Sequence, residues 1–134
     1  FETRGNHDCH VILRGGKQPN YSAADVNAAC AMLQAAGLRE QVMIDVSHAN
    51  SSKQHQRQIT VAAEVAQQIA AGDARITGLM IESHLQEGRQ DIVPGQPLTP
   101  GVSVTDACIS LAQTVPVLDN LAAAVRARRQ KQSA

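Results

Sequence analysis

Three short apolar runs, separated by stretches with helical spacing, constrain the possible folds of this sequence most strongly. The runs lie at residues 10–14, 41–46 and 76–82. Short runs without polar alternation are typical of strands that are buried on both faces. Strands of this kind that alternate with helices form parallel sheets through right-handed crossovers. The sequence therefore predicts an α/β fold that begins β-α-β-α-β and ends with a loop and a helical region.

The helices between the runs are bounded by capping and stop signals. Ser22 is a favourable N-cap for the first helix, and Gly37 is expected to end it. The second helix is predicted over residues 51–71, with Gly72 as its stop. Each helix carries apolar residues at the spacing of one buried face.

The remaining part of the chain predicts a long loop and a last helix. A segment rich in Gly and Pro covers residues 87–103, and loops of this length are often functional. Helical sequence follows over residues 105–129, with a break expected near Pro116 because proline lacks a backbone N–H.

The length of each βα unit indicates a particular architecture. Units of roughly 30–40 residues match the repeat of a TIM barrel, which needs about 250 residues in total. The 134 residues supply three such units, so residues 1–134 are predicted to be the C-terminal part of a single (β/α)8 barrel domain. Val11, Leu13, Val42 and Ile44 are expected to face the barrel interior. Without partners there, residues 1–134 alone are expected to associate.

Charge and composition exclude several classes of partner. Lys plus Arg and Asp plus Glu number 12 each, which disfavours nucleic acid as a partner. No apolar run approaches the roughly 20 residues of a membrane span. The odd number of cysteines, which are widely spaced, favours reduced thiols and a cytoplasmic location. They are expected to be small core residues: Cys9, Cys30 and Cys108.

Arg14 ends the first apolar run and precedes Gly15, Gly16 and Lys17. Ligands of α/β proteins bind at the carboxyl ends of parallel strands. Glycine lets the backbone approach a ligand closely, and a guanidinium can hold a phosphate or carboxylate through two parallel hydrogen bonds. An arginine that pairs with a neighbouring acid beside an ordinary glycine turn is the alternative interpretation.

His48 and Glu82 follow the second and third runs. An imidazole and a carboxylate at neighbouring strand ends suit a divalent metal of intermediate softness. His48 could also be a structural hydrogen-bonding residue, and His84 could be a further ligand or point away.

Asp106 follows the long loop, and on its own it is typical of an acid at a helix N-terminus. The other histidines have no evident partner and are predicted to be surface or structural residues: His7, His10 and His55.

Taken together, these segments resemble a known enzyme family. The matching segments are CHVILRGGKQPNYS (9–22), QVMIDVSHANSSKQ (41–54), GLMIESHLQEG (78–88), SVTDACI (103–109) and AVRARR (124–129). They resemble the type I 3-deoxy-D-arabino-heptulosonate-7-phosphate (DAHP) synthases, in the microbial form that aromatic amino acids regulate. The similarity extends over nearly the whole chain in order and spacing.

The resemblance implies a (β/α)8 barrel that condenses phosphoenolpyruvate with erythrose 4-phosphate and releases phosphate. This reaction is the first step of aromatic amino-acid biosynthesis. The resemblance also implies that His48, Glu82 and Asp106 are three of four ligands of one divalent metal ion of the Mn, Fe, Co or Zn class. Arg14 and His48 would be catalytic, and Arg14 and Asp106 would bind substrate. A homo-oligomer is expected.

The fourth metal ligand of the family is a cysteine in the N-terminal part of the barrel, and no cysteine here matches that motif. The chain alone is therefore expected to be inactive. Two alternatives remain at this point. One is a non-catalytic metal- or anion-binding α/β domain, and the other is a different barrel synthase that uses phosphoenolpyruvate.

Overall fold

The computed structural model describes residues 1–6 and 8–133. The strands are β1 (Val11–Leu13), β2 (Val42–Asp45), β3 (Ile76–Met80), β4 (Ser83–His84) and β5 (Ile109–Ser110). The helices are α1 (Ala23–Ala35), α2 (Arg57–Ala71) and α3 (Leu111–Gln132). In the part of the chain that the structure describes, no helix combines the length and apolarity needed to cross a membrane.

The strands form two parallel arrangements. β1, β2 and β3 are neighbours in one sheet, in which Val11 pairs with Val42 and Val42 with Ile76. β4 and β5 form a second parallel pair, with Ser83 opposite Ile109. The predicted parallel α/β fold is confirmed, and the carboxyl ends of β1, β2 and β3 lie along one edge.

Helix α1 begins and ends where the sequence predicts. The Ser22 side chain accepts a hydrogen bond from the Asp25 backbone N–H, and the Asp25 carboxylate accepts one from Ser22 in return. This reciprocal capping box satisfies two backbone donors that the helix leaves free. After the last turn, Gly37 adopts a left-handed conformation with φ of +69°.

Helix α2 begins at Arg57, and the prediction of a start at residue 51 is wrong. Three residues of the preceding connection have positive φ angles: His48 (44°), Ser52 (54°) and Lys53 (59°). A right-handed helix cannot run through such residues, so the chain after β2 forms successive turns before α2 starts. α2 then buries one face against the sheet and α3.

The region before α3 also differs from the prediction. The short strand β5 precedes α3, which begins at Leu111 with Ser110 as its N-cap, rather than at residue 105. Pro116 lies inside the helix, and the predicted break there is wrong. Proline removes one hydrogen bond in the second turn, while the residues beyond it pack α3 against the core through Val117 and Ala124.

The core lies between the sheet and the helices. Leu13, Val42 and Ile44 are buried in it, so the expectation that they face an open barrel interior is wrong. Side chains of a strand alternate between its two faces, and the opposite face of β1 presents Ile12, which is 48% exposed. Val11, at the start of the strand, is also exposed. The sequence could not distinguish the faces because both are apolar.

Candidate metal centre

His48, Glu82 and Asp106 converge at the carboxyl-end edge of the sheet. One ligand atom from each residue can be chosen such that all lie within 4.8 Å of one another. Nε2 of His48 is 3.9 Å from Oε1 of Glu82 and 3.9 Å from Oδ2 of Asp106. The three side chains line a cavity of about 40 Å³.

The three residues reach this point from separate connections. His48 lies in the turns after β2, and Glu82 lies between β3 and β4. Asp106 lies in the loop before β5, so its interpretation as a helix N-terminal acid is wrong. His48 and Glu82 follow neighbouring parallel strands at one edge, and the loop before β5 brings Asp106 to the same place.

The donor set fits a divalent metal ion. One imidazole nitrogen and two carboxylate oxygens are ligands that Zn²⁺ and similar first-row ions accept. Two ligands that share an ion at about 2.1 Å are roughly 3–4 Å apart. The 3.9 Å separations from His48 Nε2 agree with that range before any adjustment of side chains.

A buried carboxylate, Asp45, holds the other nitrogen of His48. Asp45 is the last residue of β2 and is only 1% exposed. Its Oδ2 lies 2.7 Å from Nδ1 of His48, and its Oδ1 accepts hydrogen bonds from Ser47 N and Oγ at 2.8 and 2.7 Å. With Nδ1 engaged, Nε2 is the atom that faces the two acids. The sequence reasoning missed Asp45; an acid three residues before the histidine was the available signal.

Arg14 stands at the same edge, just beyond β1. Its side chain is 60% exposed, and its Nε lies 3.8 Å from Oδ2 of Asp45, which is an ion pair without a hydrogen bond. Gly15, with φ of +77°, turns the chain sharply after Arg14 and donates its N–H to Oδ1 of Asn20 at 2.7 Å. Each of the two interpretations of Arg14 from the sequence therefore finds support. Arg14 has a neighbouring acid, and solvent or a ligand can reach its guanidinium.

Two buried side-chain amides fix the ends of the strands. Nδ2 of Asn50 donates to the carbonyls of Leu13 and Asp45 at 3.0 and 2.8 Å, which joins β1 to β2. Gln58 of α2 accepts from the Glu82 N–H at 2.8 Å and donates to the Glu82 carbonyl at 3.2 Å. Neither amide was predicted, because only the folded chain brings these polar groups together.

The other histidines that the structure describes lie outside the cluster. His84 is exposed, and its Nδ1 donates to the Gly101 carbonyl. His10 is exposed, whereas His55 borders the cavity with its Nε2 3.7 Å from Oε2 of Glu87. His7 lies outside the described residues.

The cysteines differ from one another in burial. Cys30 and Cys108 are buried, as predicted, and burial raises the pKa of each thiol. These two thiols therefore remain protonated at neutral pH, which makes them poor nucleophiles. Cys9 is exposed, so its predicted place in the core is wrong.

The fold and the site together define a parallel α/β protein with a metal-ligand cluster at the carboxyl ends of its strands. The family model described as "DAHP synthetase I family" matches residues 1–118. The chain belongs to this family, and the resemblance read from the sequence is confirmed.

Individual relatives agree with this assignment. The chain is 58% identical over 127 residues to "Phospho-2-dehydro-3-deoxyheptonate aldolase, Phe-sensitive" of Escherichia coli (strain K12), covering 95% of the chain and 36% of the relative. It is 56% identical over 135 residues to the "tyrosine-inhibited" aldolase of Schizosaccharomyces pombe, covering 97% of the chain and 36% of the relative.

A solved structure is also closely similar. The phospho-2-dehydro-3-deoxyheptonate aldolase from Francisella tularensis SCHU S4 superposes with a TM-score of 0.91 at 48% identity, over 96% of the chain and 37% of that structure. The chain thus spans little more than a third of the length of the proteins it matches.

Proposed function

We propose that this chain is part of a metal-dependent DAHP synthase that condenses phosphoenolpyruvate with erythrose 4-phosphate in the first step of aromatic amino-acid biosynthesis. One observation supports this most directly. His48, Glu82 and Asp106 offer ligand atoms within 4.8 Å of one another, beside the exposed Arg14, in a member of the DAHP synthetase I family.

We further propose that residues 1–134 form the C-terminal three βα units of a (β/α)8 barrel. The parallel order β1-β2-β3 and the adjoining β4–β5 pair support this proposal. So does the exposed Ile12 on the uncovered sheet face. Residues 1–134 alone are expected to associate through that face and to lack synthase activity. The whole enzyme is proposed to be a cytoplasmic homo-oligomer.

His48, Glu82 and Asp106 would hold one divalent ion of the Mn, Fe, Co or Zn class, which when bound supplies Lewis-acid polarisation of a substrate oxygen. The two carboxylates lower the net charge of the site. Asp106, whose side chain is 68% exposed, would also contact substrate.

Arg14 would bind the negative charge of phosphoenolpyruvate and orient it, which is a contribution of positioning. In the reaction, C3 of phosphoenolpyruvate forms a bond to the aldehyde carbon of erythrose 4-phosphate. Water adds at C2, and the carbon–oxygen bond that releases inorganic phosphate then breaks. The overall products are DAHP and phosphate.

The test is His48→Gln in the full-length protein, with His10→Gln as the matched control because His10 is exposed and outside the cluster. His48→Gln is expected to weaken Mn²⁺ binding at least about tenfold, since one ligand is lost, and to reduce phosphate release correspondingly. His10→Gln is expected to leave both unchanged. Near-normal binding and turnover in His48→Gln would contradict the proposal.

The same assay separates the two alternatives. A non-catalytic metal- or anion-binding domain would bind Mn²⁺ and phosphoenolpyruvate, but it would not release phosphate from phosphoenolpyruvate with any aldehyde that is added. Another phosphoenolpyruvate-using synthase would release phosphate with a different aldehyde and not with erythrose 4-phosphate.

A further inference from the structure

We propose that Asp45 is a positioning residue that fixes the proton of His48 on Nδ1 and thereby keeps Nε2 free for the metal ion. The proposal rests on the proposed metal site. Asp45 itself is not a ligand: its carboxylate faces the far side of the imidazole from Glu82 and Asp106.

The hydrogen bonds around Nδ1 determine the position of the proton. Ser47 Oγ donates its single proton to Oδ1 of Asp45 at 2.7 Å. The same hydroxyl lies 2.7 Å from Nδ1 of His48, and toward that nitrogen it can only accept. The second neighbour of Nδ1 is Oδ2 of Asp45, also an acceptor. Two acceptors on one nitrogen require that Nδ1 carries the proton, and neutral imidazole then has its lone pair on Nε2.

The environment of Asp45 makes this arrangement rigid. The residue is 1% exposed, and burial of a carboxylate is unfavourable unless hydrogen bonds and charges compensate it. Ser47 and His48 supply those hydrogen bonds, and the Arg14 guanidinium lies 3.8 Å away. The carboxylate therefore has little freedom to turn away from the imidazole.

Asp45→Asn is a nearly isosteric change that reverses one hydrogen bond. The Ser47 backbone N–H requires an acceptor, so the amide oxygen would take the place of Oδ1. The amide NH₂ would then point at Nδ1 of His48, which would have to accept. The imidazole proton moves to Nε2 in that case and blocks the atom that should bind the metal ion.

The experiment measures Mn²⁺ affinity of the full-length protein by competition with a chelator. Asp45→Asn is expected to weaken binding about 10- to 100-fold, the usual effect of removing a carboxylate that orients a histidine ligand. Asp73→Asn is the matched control: Asp73 is also a hydrogen-bonded carboxylate, but it pairs with Arg75 just before β3. That control should leave Mn²⁺ affinity unchanged.

A double-mutant cycle tests whether the effect passes through His48. In a His48→Gln background, Asp45→Asn should have almost no further effect on Mn²⁺ affinity. Wild-type affinity in the single Asp45→Asn variant, or an undiminished effect in the His48→Gln background, would overturn the proposal. If His48→Gln alone leaves the Mn²⁺ affinity unchanged, the proposed metal site itself is contradicted. That outcome is distinct from a failure of the role proposed for Asp45.

A measurement on the wild-type protein covers the case in which Asp45→Asn does not fold. Imidazole ¹⁵N chemical shifts of the metal-free protein, assigned to His48 by comparison with His48→Gln, report which nitrogen is protonated. A proton on Nδ1 supports the proposal. An Nδ1 without a proton contradicts it.

Discussion

Nε of Arg14 lies 3.8 Å from Oδ2 of Asp45, close enough for attraction between the charges but too far for a hydrogen bond. The carboxylate therefore attracts the guanidinium without occupying its hydrogen-bond donors. With 60% of the side chain exposed, the planar donor group remains accessible to an anionic ligand.

Arg14→Lys is expected to raise the KM for phosphoenolpyruvate at least about tenfold, or roughly 1.4 kcal/mol. Lysine keeps the charge but loses the two parallel donors that match a phosphate or carboxylate. Steady-state kinetics of the full-length protein checks this, with erythrose 4-phosphate less affected. Arg89→Lys is the control, because Arg89 pairs with Asp91 in an exposed loop. An unchanged KM for phosphoenolpyruvate would mean that Arg14 has a structural role only.

Gly15→Ala is expected to destabilise the protein by about 2–4 kcal/mol, because φ of +77° is unfavourable for alanine and the new Cβ would lie 2.7 Å from Cβ of Ala49. Gly16→Ala provides the comparison within the same turn. A Cβ there meets no atom within 4 Å, and a change within about 1 kcal/mol is expected. Chemical denaturation measures both, and equal effects of the two substitutions would refute the argument.

Gln58→Leu should cost about 1–3 kcal/mol of stability, because the backbone N–H of Glu82 loses its partner, whereas the Glu82 carbonyl still accepts from the Ile109 N–H at 3.0 Å. The substitution should also weaken Mn²⁺ binding, since the backbone of Glu82, between β3 and β4, loses one of the groups that hold it. Gln67→Leu, at an exposed position of the same helix, is the control and should stay within about 0.5 kcal/mol. A Gln58→Leu variant with normal stability would show that this amide pair is dispensable.

The lowered pKa of the Asp73 carboxyl predicts that the stability of the protein depends on pH. Hydrogen bonds from Arg75 lower the pKa of the Asp73 carboxyl below its ordinary value of 3.8. The carboxylate therefore stabilises the folded state above about pH 4, and this contribution disappears as pH falls through the lowered pKa. Asp73→Asn should cost about 1–3 kcal/mol at pH 7 and progressively less in acid. A pH-independent difference between variant and wild type would contradict this assignment.

The sequence predicted the features that depend on local pattern. The apolar runs located β1, β2 and β3, and Ser22 located the start of α1. The carboxyl ends of the strands lie at one edge of a parallel sheet. His48 and Glu82, which follow two such ends, could therefore be expected to lie close together.

The errors occurred where tertiary contacts override local pattern. The polar residues after β2 look compatible with a helix, yet buried Asn50 bonds to two strand ends and the left-handed residues delay α2 until Arg57. Strands of two residues, such as β5, are too short to show a period. Asp45 and Gln58 gain their significance only from partners that the fold supplies.

The connection after β2 holds His48, Ser52 and Lys53 in left-handed conformations that are unfavourable for residues other than glycine. Asn50 and Ser51, which lie between His48 and Ser52 and are both fully buried, anchor these turns. The imidazole of His48 is therefore preorganised, because the backbone of this residue is already fixed in the folded chain. An ion that binds at the proposed site would therefore not have to order this segment, and the affinity of the site would not be reduced by loss of loop entropy.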